Sequence, residues 1–133
     1  KKNIKKIFIS NRTIEKVERI KKKFSFIKII LWEEIDSMTQ EMDIIINTTS
    51  LGMKNGDDFK QMIKNFKTEV IYYEVIYNPL ETKMLKTFKE KNFKTFNGLE
   101  MFLYQGQKSF YLWNNINPVV DEELKKMIIS NLK

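Results

Sequence analysis

Polar side chains follow three strand-like apolar runs of this 133-residue chain, at the point where each run ends. They are Asn11 to Thr13 after the first run, Asn47 to Ser50 after the second, and Tyr77 with Asn78 after the third. In open α/β sheets, ligands bind outside the carboxyl ends of the strands, so three polar endings predict one shared site. Arg12 and the nearby Lys16 can bind phosphate by charge-assisted hydrogen bonds.

The composition limits the acid–base chemistry that is available. The chain has no His and no Cys, which removes the usual general base, the commonest metal ligand, thiolate nucleophiles and disulfides. Proton transfer would have to use Lys, Tyr or carboxylate groups. We predict no metal site, and no residue of the chain is predicted to be catalytic.

The net charge of +7 invites a nucleic-acid interpretation, which the distribution of the charge does not favour. The excess is almost all Lys and is spread along the chain, with Arg12 and Arg19 the only arginines. No recognised nucleic-acid motif accompanies it. No apolar run approaches the roughly 18 residues of a membrane span, and no cleavage site follows a charged start. We therefore expect a cytoplasmic protein that binds neither nucleic acid nor membranes.

Strand-like and helical patterns alternate along residues 1–133, which we expect to form one α/β domain. The predicted strands are Ile7 to Ser10, Phe26 to Leu31, Asp43 to Asn47, Val70 to Tyr77, and Thr95 with Phe96. The predicted helices follow Thr13, lie within Trp32 to Met42, cover Phe59 to Phe66 and Glu81 to Lys91, and follow Gly98 and Asp121. Short connections between such elements predict right-handed crossovers and a parallel sheet, with the apolar strands buried on both faces.

Two of these helices are expected to present particular faces. The first has apolar residues at spacings of three, three and four, and Thr13 is its expected cap. These residues are Ile14, Val17, Ile20 and Phe24. In the long helix after Gly98, Gln105 lies about 20° from Gly98 in azimuth and about two turns further along. The backbone of Gly98, which carries no side chain, and the side-chain amide of Gln105 therefore lie on one face of this helix.

One element of a dinucleotide-binding domain is missing from the pattern. Such a domain normally opens with a strand, a Gly-rich phosphate turn and a helix. The four glycines, Gly52, Gly56, Gly98 and Gly106, do not have that spacing. The sequence predicts a Rossmann-like parallel sheet flanked by helices, without its first strand, followed by a carboxyl-terminal helical segment. In the strand order 3-2-1-4-5-6 the missing strand is central.

Four segments, in this order, resemble the carboxyl-terminal cofactor domain of shikimate dehydrogenases. They are SNRTIEK, INTTSLGM, IYNPLET and NGLEMFLYQGQKSFYLW, and the resemblance covers nearly the whole chain. It implies the cofactor part of an NADP-dependent oxidoreductase that interconverts 3-dehydroshikimate and shikimate in aromatic amino-acid biosynthesis. It also allows a homodimer.

The resemblance implies specific contacts. The implied cofactor-binding residues are Asn11, Arg12, Thr13, Lys16, Thr49, Val75 and Gly98, and the implied substrate-binding residues are Tyr77 and Gln105. An acidic residue at the end of the strand before Asn11 would bind the ribose hydroxyls of NAD and repel a 2′-phosphate. Arg12 therefore favours NADP.

The sequence departs from the family pattern at four positions. Thr48 replaces Ala, Glu74 replaces Asp, Lys83 replaces Pro, and Glu100 replaces a second Gly. Helical geometry places Glu100 about 200° from Gly98, so its side chain should point away from the site.

Two other interpretations stay open. One is a quinate/shikimate dehydrogenase with relaxed cofactor use, and the other is a nucleotide-binding module without catalysis. The family's catalytic Lys and Asp belong to an amino-terminal domain that matches nothing in this sequence. We therefore expect these 133 residues alone to be inactive.

Overall fold

A computed structural model describes residues 4–53, 65, 67 and 69–132. The described chain forms two compact units, the first of residues 4–42, 65 and 67 and the second of residues 43–53 and 69–132. The helix predicted over Phe59 to Phe66 lies outside the described residues apart from Asn65.

The first unit begins with a parallel strand pair. Strand β1 (Ile7–Ile9) pairs with β2 (Ile27–Ile29), and helix α1 (Ile14–Lys23) makes the crossover between them. The segment after β2 consists of one-turn 3-10 helices at Trp32–Glu34 and Thr39–Glu41 on either side of α2 (Ile35–Met38). The predicted strand, helix and strand are confirmed, and so is the short helix with loops that follows them.

The predicted apolar face of α1 is only partly buried. Val17 is fully covered, but Ile20 is 37% exposed and Phe24 is 45% exposed. The helix has ten residues and is about 15 Å long, whereas a three-residue strand spans about 10 Å. Two such short strands cover only part of the helix, which leaves Ile20 and Phe24 partly exposed on the predicted apolar face.

The second unit contains a three-stranded parallel sheet. Strands β3 (Ile44–Asn47), β4 (Ile71–Glu74) and β5 (Lys94–Phe96) lie in the order β3-β4-β5, and α3 (Lys83–Glu90) connects β4 to β5. Together with the β1–β2 pair, these are the pairings of strands 2–3 and 4–6 in a doubly wound sheet. The Rossmann-like parallel architecture is confirmed.

The core of this unit lies between β4 and α3. Met84, Leu85 and Phe88 are buried, as the helical pattern predicts, and the Phe88 ring stacks on Tyr72 with centroids 4.2 Å apart. Strand β3 differs from expectation, since Ile44 and Ile46 are 54% and 59% exposed. Side chains alternate along a strand, so burial of β3 on both faces is a wrong prediction and one of its faces is open.

Two helices complete the second unit. Helix α4 (Leu99–Asn114) is followed by α5 (Glu122–Asn131), and the Asp121 carboxylate caps α5 by accepting a 2.8 Å hydrogen bond from Leu124 N. Glu100 faces α5, where its Oε1 accepts from Lys125 Nζ at 3.0 Å. The helical segment and the Asp121 cap are confirmed. None of the helices in the described part of the chain has the length and apolar character needed to cross a membrane.

Candidate functional site

The turn between β1 and α1 presents positive charge. Asn11 Oδ1 accepts a 2.9 Å hydrogen bond from Thr13 N, and Thr13 O accepts from Lys16 N at 3.2 Å. Thr13 occupies the N-cap position, but its side chain makes no capping bond, so the predicted Thr13 cap is wrong and the Asn11 amide orders the turn instead. Arg12 and Lys16 are exposed beside the amino terminus of α1, a position that favours bound anions.

A similar turn follows β3, but its asparagine is buried. Asn47 is 5% exposed, and its Oδ1 accepts from Thr49 N at 3.0 Å and from Thr49 Oγ1 at 2.7 Å. Thr49 Oγ1 in turn accepts from Leu51 N at 3.2 Å. The predicted cofactor contact Thr49 is therefore held at both its amide and its hydroxyl before any ligand is considered.

The backbone after β4 packs directly against the start of α4. Val75 N donates to Asn47 O at 3.1 Å, and Gly98 N donates to Ile76 O at 2.8 Å. A Cβ atom at Gly98 would lie 2.0 Å from Val75 O, closer than any real contact. Close approach, and not backbone conformation, requires glycine here, because the φ of −79° is open to every residue. Two predicted cofactor residues, Val75 and Gly98, are thus in contact.

The predicted substrate residues lie on this same unit. The Tyr77 ring stacks on Phe102, with centroids 4.3 Å apart and an angle of 18° between the planes. Phe102 N donates to Gly98 O, which places the stack one turn into α4. Gln105 follows on α4 and is exposed. An apolar cavity of about 200 Å³ between α4 and α5 is lined by Phe102 and Gly106, among others, but by neither Tyr77 nor Gln105.

A buried polar network lies beneath these segments. Glu74 is 0% exposed, and its Oε2 accepts from Tyr72 Oη at 3.1 Å and from Thr82 Oγ1 at 2.8 Å. Thr82 Oγ1 also accepts from Leu85 N and so caps α3. Glu74 pairs with Asn47 in the register of β3 and β4, and the next residue, Val75, donates its N–H to Asn47 O at 3.1 Å. The network therefore connects the ends of β3 and β4 to the start of α3.

Burial changes the ionisation of this network. Desolvation raises the pKa of the Glu74 carboxyl above its ordinary value of 4.5, although the hydrogen bonds from Thr82 and Tyr72 oppose the shift. Burial also raises the pKa of the Tyr72 hydroxyl, and the nearby Glu74 raises it further. Both shifts favour the uncharged forms. Glu74 Oε1 is buried and has no hydrogen-bond partner among the described residues.

Sequence reasoning did not identify Glu74 and Thr82 as site residues. A signal for Glu74 was present, because a glutamate inside the apolar run IYYEVI must share a strand face with Tyr72 two residues earlier. A carboxylate on a buried face predicts a network of donors around it. Thr82 gave the weaker signal of a threonine just before a helical pattern.

The predicted residues fall into two groups. Asn11, Arg12, Thr13 and Lys16 belong to the first unit, where one turn contains them all. In the second unit, Asn47 connects Thr49 to Val75, Val75 contacts Gly98, and the helix that begins there carries Gln105 and the Tyr77 stack. Within the described residues, no cluster of acidic side chains could hold a metal ion.

Comparison with known proteins gives consistent matches. The family model described as shikimate / quinate 5-dehydrogenase matches residues 1–74. A shikimate dehydrogenase (NADP(+)) from Pelagibacter ubique is 44% identical over 120 residues, covering 90% of this chain and 44% of the relative. A protein of the same name from Methanocaldococcus jannaschii is 36% identical over 134 residues, covering 95% of this chain and 47% of the relative.

Solved structures are similar as well. A crystal structure of shikimate dehydrogenase in complex with NADP+ has a TM-score of 0.77 and 33% identity, and the match covers 96% of this chain and 47% of that chain. Shikimate 5-dehydrogenase from Listeria monocytogenes, in complex with shikimate and NAD, has a TM-score of 0.71 and 28% identity, with coverage of 96% and 48%. The chain spans about half the length of the curated relatives that it matches.

Proposed function

Because this chain belongs to the shikimate and quinate 5-dehydrogenase family, we propose that it supplies the cofactor-binding part of an NADP-dependent shikimate dehydrogenase. The proposed reaction is the reversible reduction of 3-dehydroshikimate to shikimate. The proposal includes two substrate contacts in this chain and a cytoplasmic location. A homodimer is the assembly to test by analytical ultracentrifugation.

The observation that carries the choice of cofactor is the exposed Arg12 in the turn after β1. No acidic residue stands between β1 and α1, where a carboxylate would bind the ribose of NAD and repel a 2′-phosphate. Arg12 offers a planar guanidinium, Lys16 a second cation, and the amino terminus of α1 a positive dipole end. This donor set fits the phosphate of NADP.

The second unit fits the rest of the cofactor. Gly98 packs directly against the Val75 backbone, so these two assigned cofactor contacts are held next to each other. NADP would supply hydride exchange with the substrate. The residues assigned to hold it are Asn11, Arg12, Thr13, Lys16, Thr49, Val75 and Gly98.

The proposed substrate contacts are the Tyr77 hydroxyl and the Gln105 amide. The Phe102 stack fixes the plane of the Tyr77 ring, so the direction of its hydroxyl is set before substrate binds. A neutral hydroxyl and an amide suit a polyhydroxylated ring, since each can donate and accept a hydrogen bond. We assign no proton-transfer residue to this chain and expect no turnover from these 133 residues alone.

The alternatives predict different assay results. A quinate/shikimate dehydrogenase with relaxed cofactor use would oxidise quinate as well and would accept NAD, the cofactor bound in the Listeria monocytogenes relative. A nucleotide-binding module would bind NADP without turnover. The first experiment is therefore to purify the intact protein, meaning the product of the complete open reading frame that includes these residues. Shikimate and quinate are then assayed, each with NADP+ and with NAD+.

The sharper test removes Arg12. Replacing Arg12→Ala in the intact protein should weaken NADPH binding by about 1.5–3 kcal/mol, because a charge-assisted hydrogen bond to the phosphate is lost. Binding of NADH should change little. Arg19→Ala is the matched control, since Arg19 is the other arginine and is exposed on α1, the helix that follows Arg12. Calorimetric titration with both cofactors measures the difference. Equal losses for NADPH and NADH would contradict the assignment.

The substrate contacts need a separate test. Tyr77→Phe keeps the stack on Phe102 and removes only the hydroxyl, and Gln105→Ala removes an exposed amide. Each should lower kcat/KM for shikimate by about 0.5–1.5 kcal/mol in free-energy terms while leaving NADPH affinity intact. Tyr111→Phe, an exposed tyrosine further along α4, is the control. Unchanged shikimate kinetics in both test variants would rule out these contacts.

A further inference from the structure

The buried Glu74 carboxyl lies where two functional loops begin. Residue 75 follows it directly, and the segment from Val75 to Thr82 includes the proposed substrate contact Tyr77. Its Oε2 reaches across that segment to Thr82, whose hydroxyl lies 2.8 Å away. Glu74 precedes this loop and Thr82 ends it, so the hydrogen bond between their side chains holds the two ends of the loop together.

Glu74 also adjoins the loop after β3, because it pairs with Asn47 in the register of β3 and β4. Asn47 Oδ1 in turn accepts from both the amide and the hydroxyl of Thr49. A backbone hydrogen bond joins the same two loops, since Val75 N donates to Asn47 O at 3.1 Å. Loss of the carboxyl would therefore reach Thr49 through the pairing of β4 with β3 at Asn47, and Tyr77 through Thr82.

We propose that Glu74 is a positioning residue that fixes the loops after β3 and β4, and with them the contacts at Thr49, Val75 and Tyr77. The assignment of those contacts rests on the proposed function, but the fixing of the loops does not. Glu74 touches neither cofactor nor substrate in this proposal, because it is fully buried beneath the loops. It acts through its hydrogen bond with Thr82 and through the pairing of β4 with β3 at Asn47.

The burial of Glu74 indicates that the network needs a hydrogen-bond acceptor at this position and does not need a negative charge. An ionised carboxylate without a cationic partner is costly in such a place, and burial shifts the Glu74 pKa upward. Two hydroxyl groups donate to Oε2, and a neutral amide oxygen could accept both. Glu74→Gln should therefore preserve the positions of the loops. Glu74→Met, of similar length and without an acceptor, should release them.

The test uses hydrogen exchange of the intact protein, followed by mass spectrometry. In Glu74→Met, peptides covering residues 47–53 and 75–82 should exchange about tenfold faster than in the parent protein, the factor expected for loss of one hydrogen bond. In Glu74→Gln they should exchange at the parent rate. Glu90→Met is the matched control, because Glu90 is exposed on α3 of the same unit and should leave both peptides unchanged.

A second pair of variants covers the case in which Glu74→Met does not fold. Thr82→Val removes the hydroxyl that donates to Glu74, and Thr82→Ser keeps it. The valine variant should accelerate exchange in residues 75–82 and the serine variant should not. Acceleration confined to residues 83–90 would mean that only the α3 cap had been lost, and it would overturn the proposal.

Kinetics separate positioning from a merely structural role. If the parent enzyme oxidises shikimate, Glu74→Met should raise KM for shikimate about tenfold at full folded content, because misplaced loops weaken contacts in every molecule. A purely structural role would lower the active fraction, which reduces apparent kcat and leaves KM unchanged. That result, or parent-like exchange in Glu74→Met, would overturn the proposal. A parent protein without shikimate activity would refute the proposed function, while the exchange data would still decide the role of Glu74.

Discussion

Two turns of the molecule have the same local design and different surroundings. Asn11-Arg12-Thr13 follows β1 and Asn47-Thr48-Thr49 follows β3, and in each the Asn Oδ1 accepts from the amide two residues later, at 2.9 Å and 3.0 Å. Around Asn11 the turn is open, and the Thr13 side chain makes no capping bond. In the turn after β3 the Asn47 side chain is buried, and the Thr49 hydroxyl adds a second bond to the same oxygen.

The difference shows how one motif can serve two purposes. In the open turn, the Asn orders the backbone while Arg12 and Lys16 stay exposed, so the turn can offer charge to an anionic ligand. In the turn after β3, the Asn is itself buried and connects Thr49 to Val75. The first turn contributes positive charge to the proposed site, and the second holds Thr49 and Val75 in fixed positions.

The strongest test of this comparison is at Gly98, where the buried region is most tightly packed. In Gly98→Ala the new Cβ would lie 2.0 Å from the Val75 carbonyl oxygen, so the start of α4 or the end of β4 must move. We expect a loss of about 3 kcal/mol or more in the free energy of unfolding of the intact protein, at the upper end of overpacking effects. Denaturant titration measures it.

Gly106 provides the matched control on the same helix. A Cβ there meets no atom within 4 Å, and alanine is the better helix former by about 0.5–1 kcal/mol. Gly106→Ala should therefore stabilise the protein slightly. If Gly98→Ala is no more destabilising than Gly106→Ala, the close contact between Val75 and α4 is not a feature of the protein in solution.

The two regions also differ in what the sequence alone could predict. Apolar runs in the sequence predict the strands and helices and their parallel arrangement. The turn at Arg12 can be predicted because its exposed side chains depend only on neighbouring residues. The capping role of Thr13 was wrong because a threonine before a helix is a statistical signal, whereas the geometry at Asn11 satisfied the turn first. The open face of β3 was missed because an apolar run does not reveal which of its faces is covered.

The buried network could be predicted least. Glu74, Thr82 and Asn47 are separated by up to 35 positions in sequence, and the contacts that bring them together depend on the pairing of β3 with β4 and on the start of α3. Such contacts are fixed by tertiary structure and not by local pattern. The need for glycine at position 98 has the same origin, because the obstructing carbonyl belongs to Val75 on another element.

A direct comparison of the two asparagines tests the difference between the turns themselves, and its smaller effect is expected at Asn11. Asn47→Ala removes a buried acceptor for two donors and the 3.4 Å contact from Nδ2 to Leu51 O, so about 2–3 kcal/mol of unfolding free energy should be lost. Asn11→Ala removes one bond in an open turn, where water can replace it, and should cost about 0.5–1 kcal/mol. Both are measured in the intact protein by denaturant titration, with NADPH affinity measured alongside. Equal losses of stability would mean that burial does not distinguish the turns. If the distinction holds, Asn47→Ala should weaken stability most, and the small cost of Asn11→Ala should leave the charge of Arg12 and Lys16 available to the cofactor.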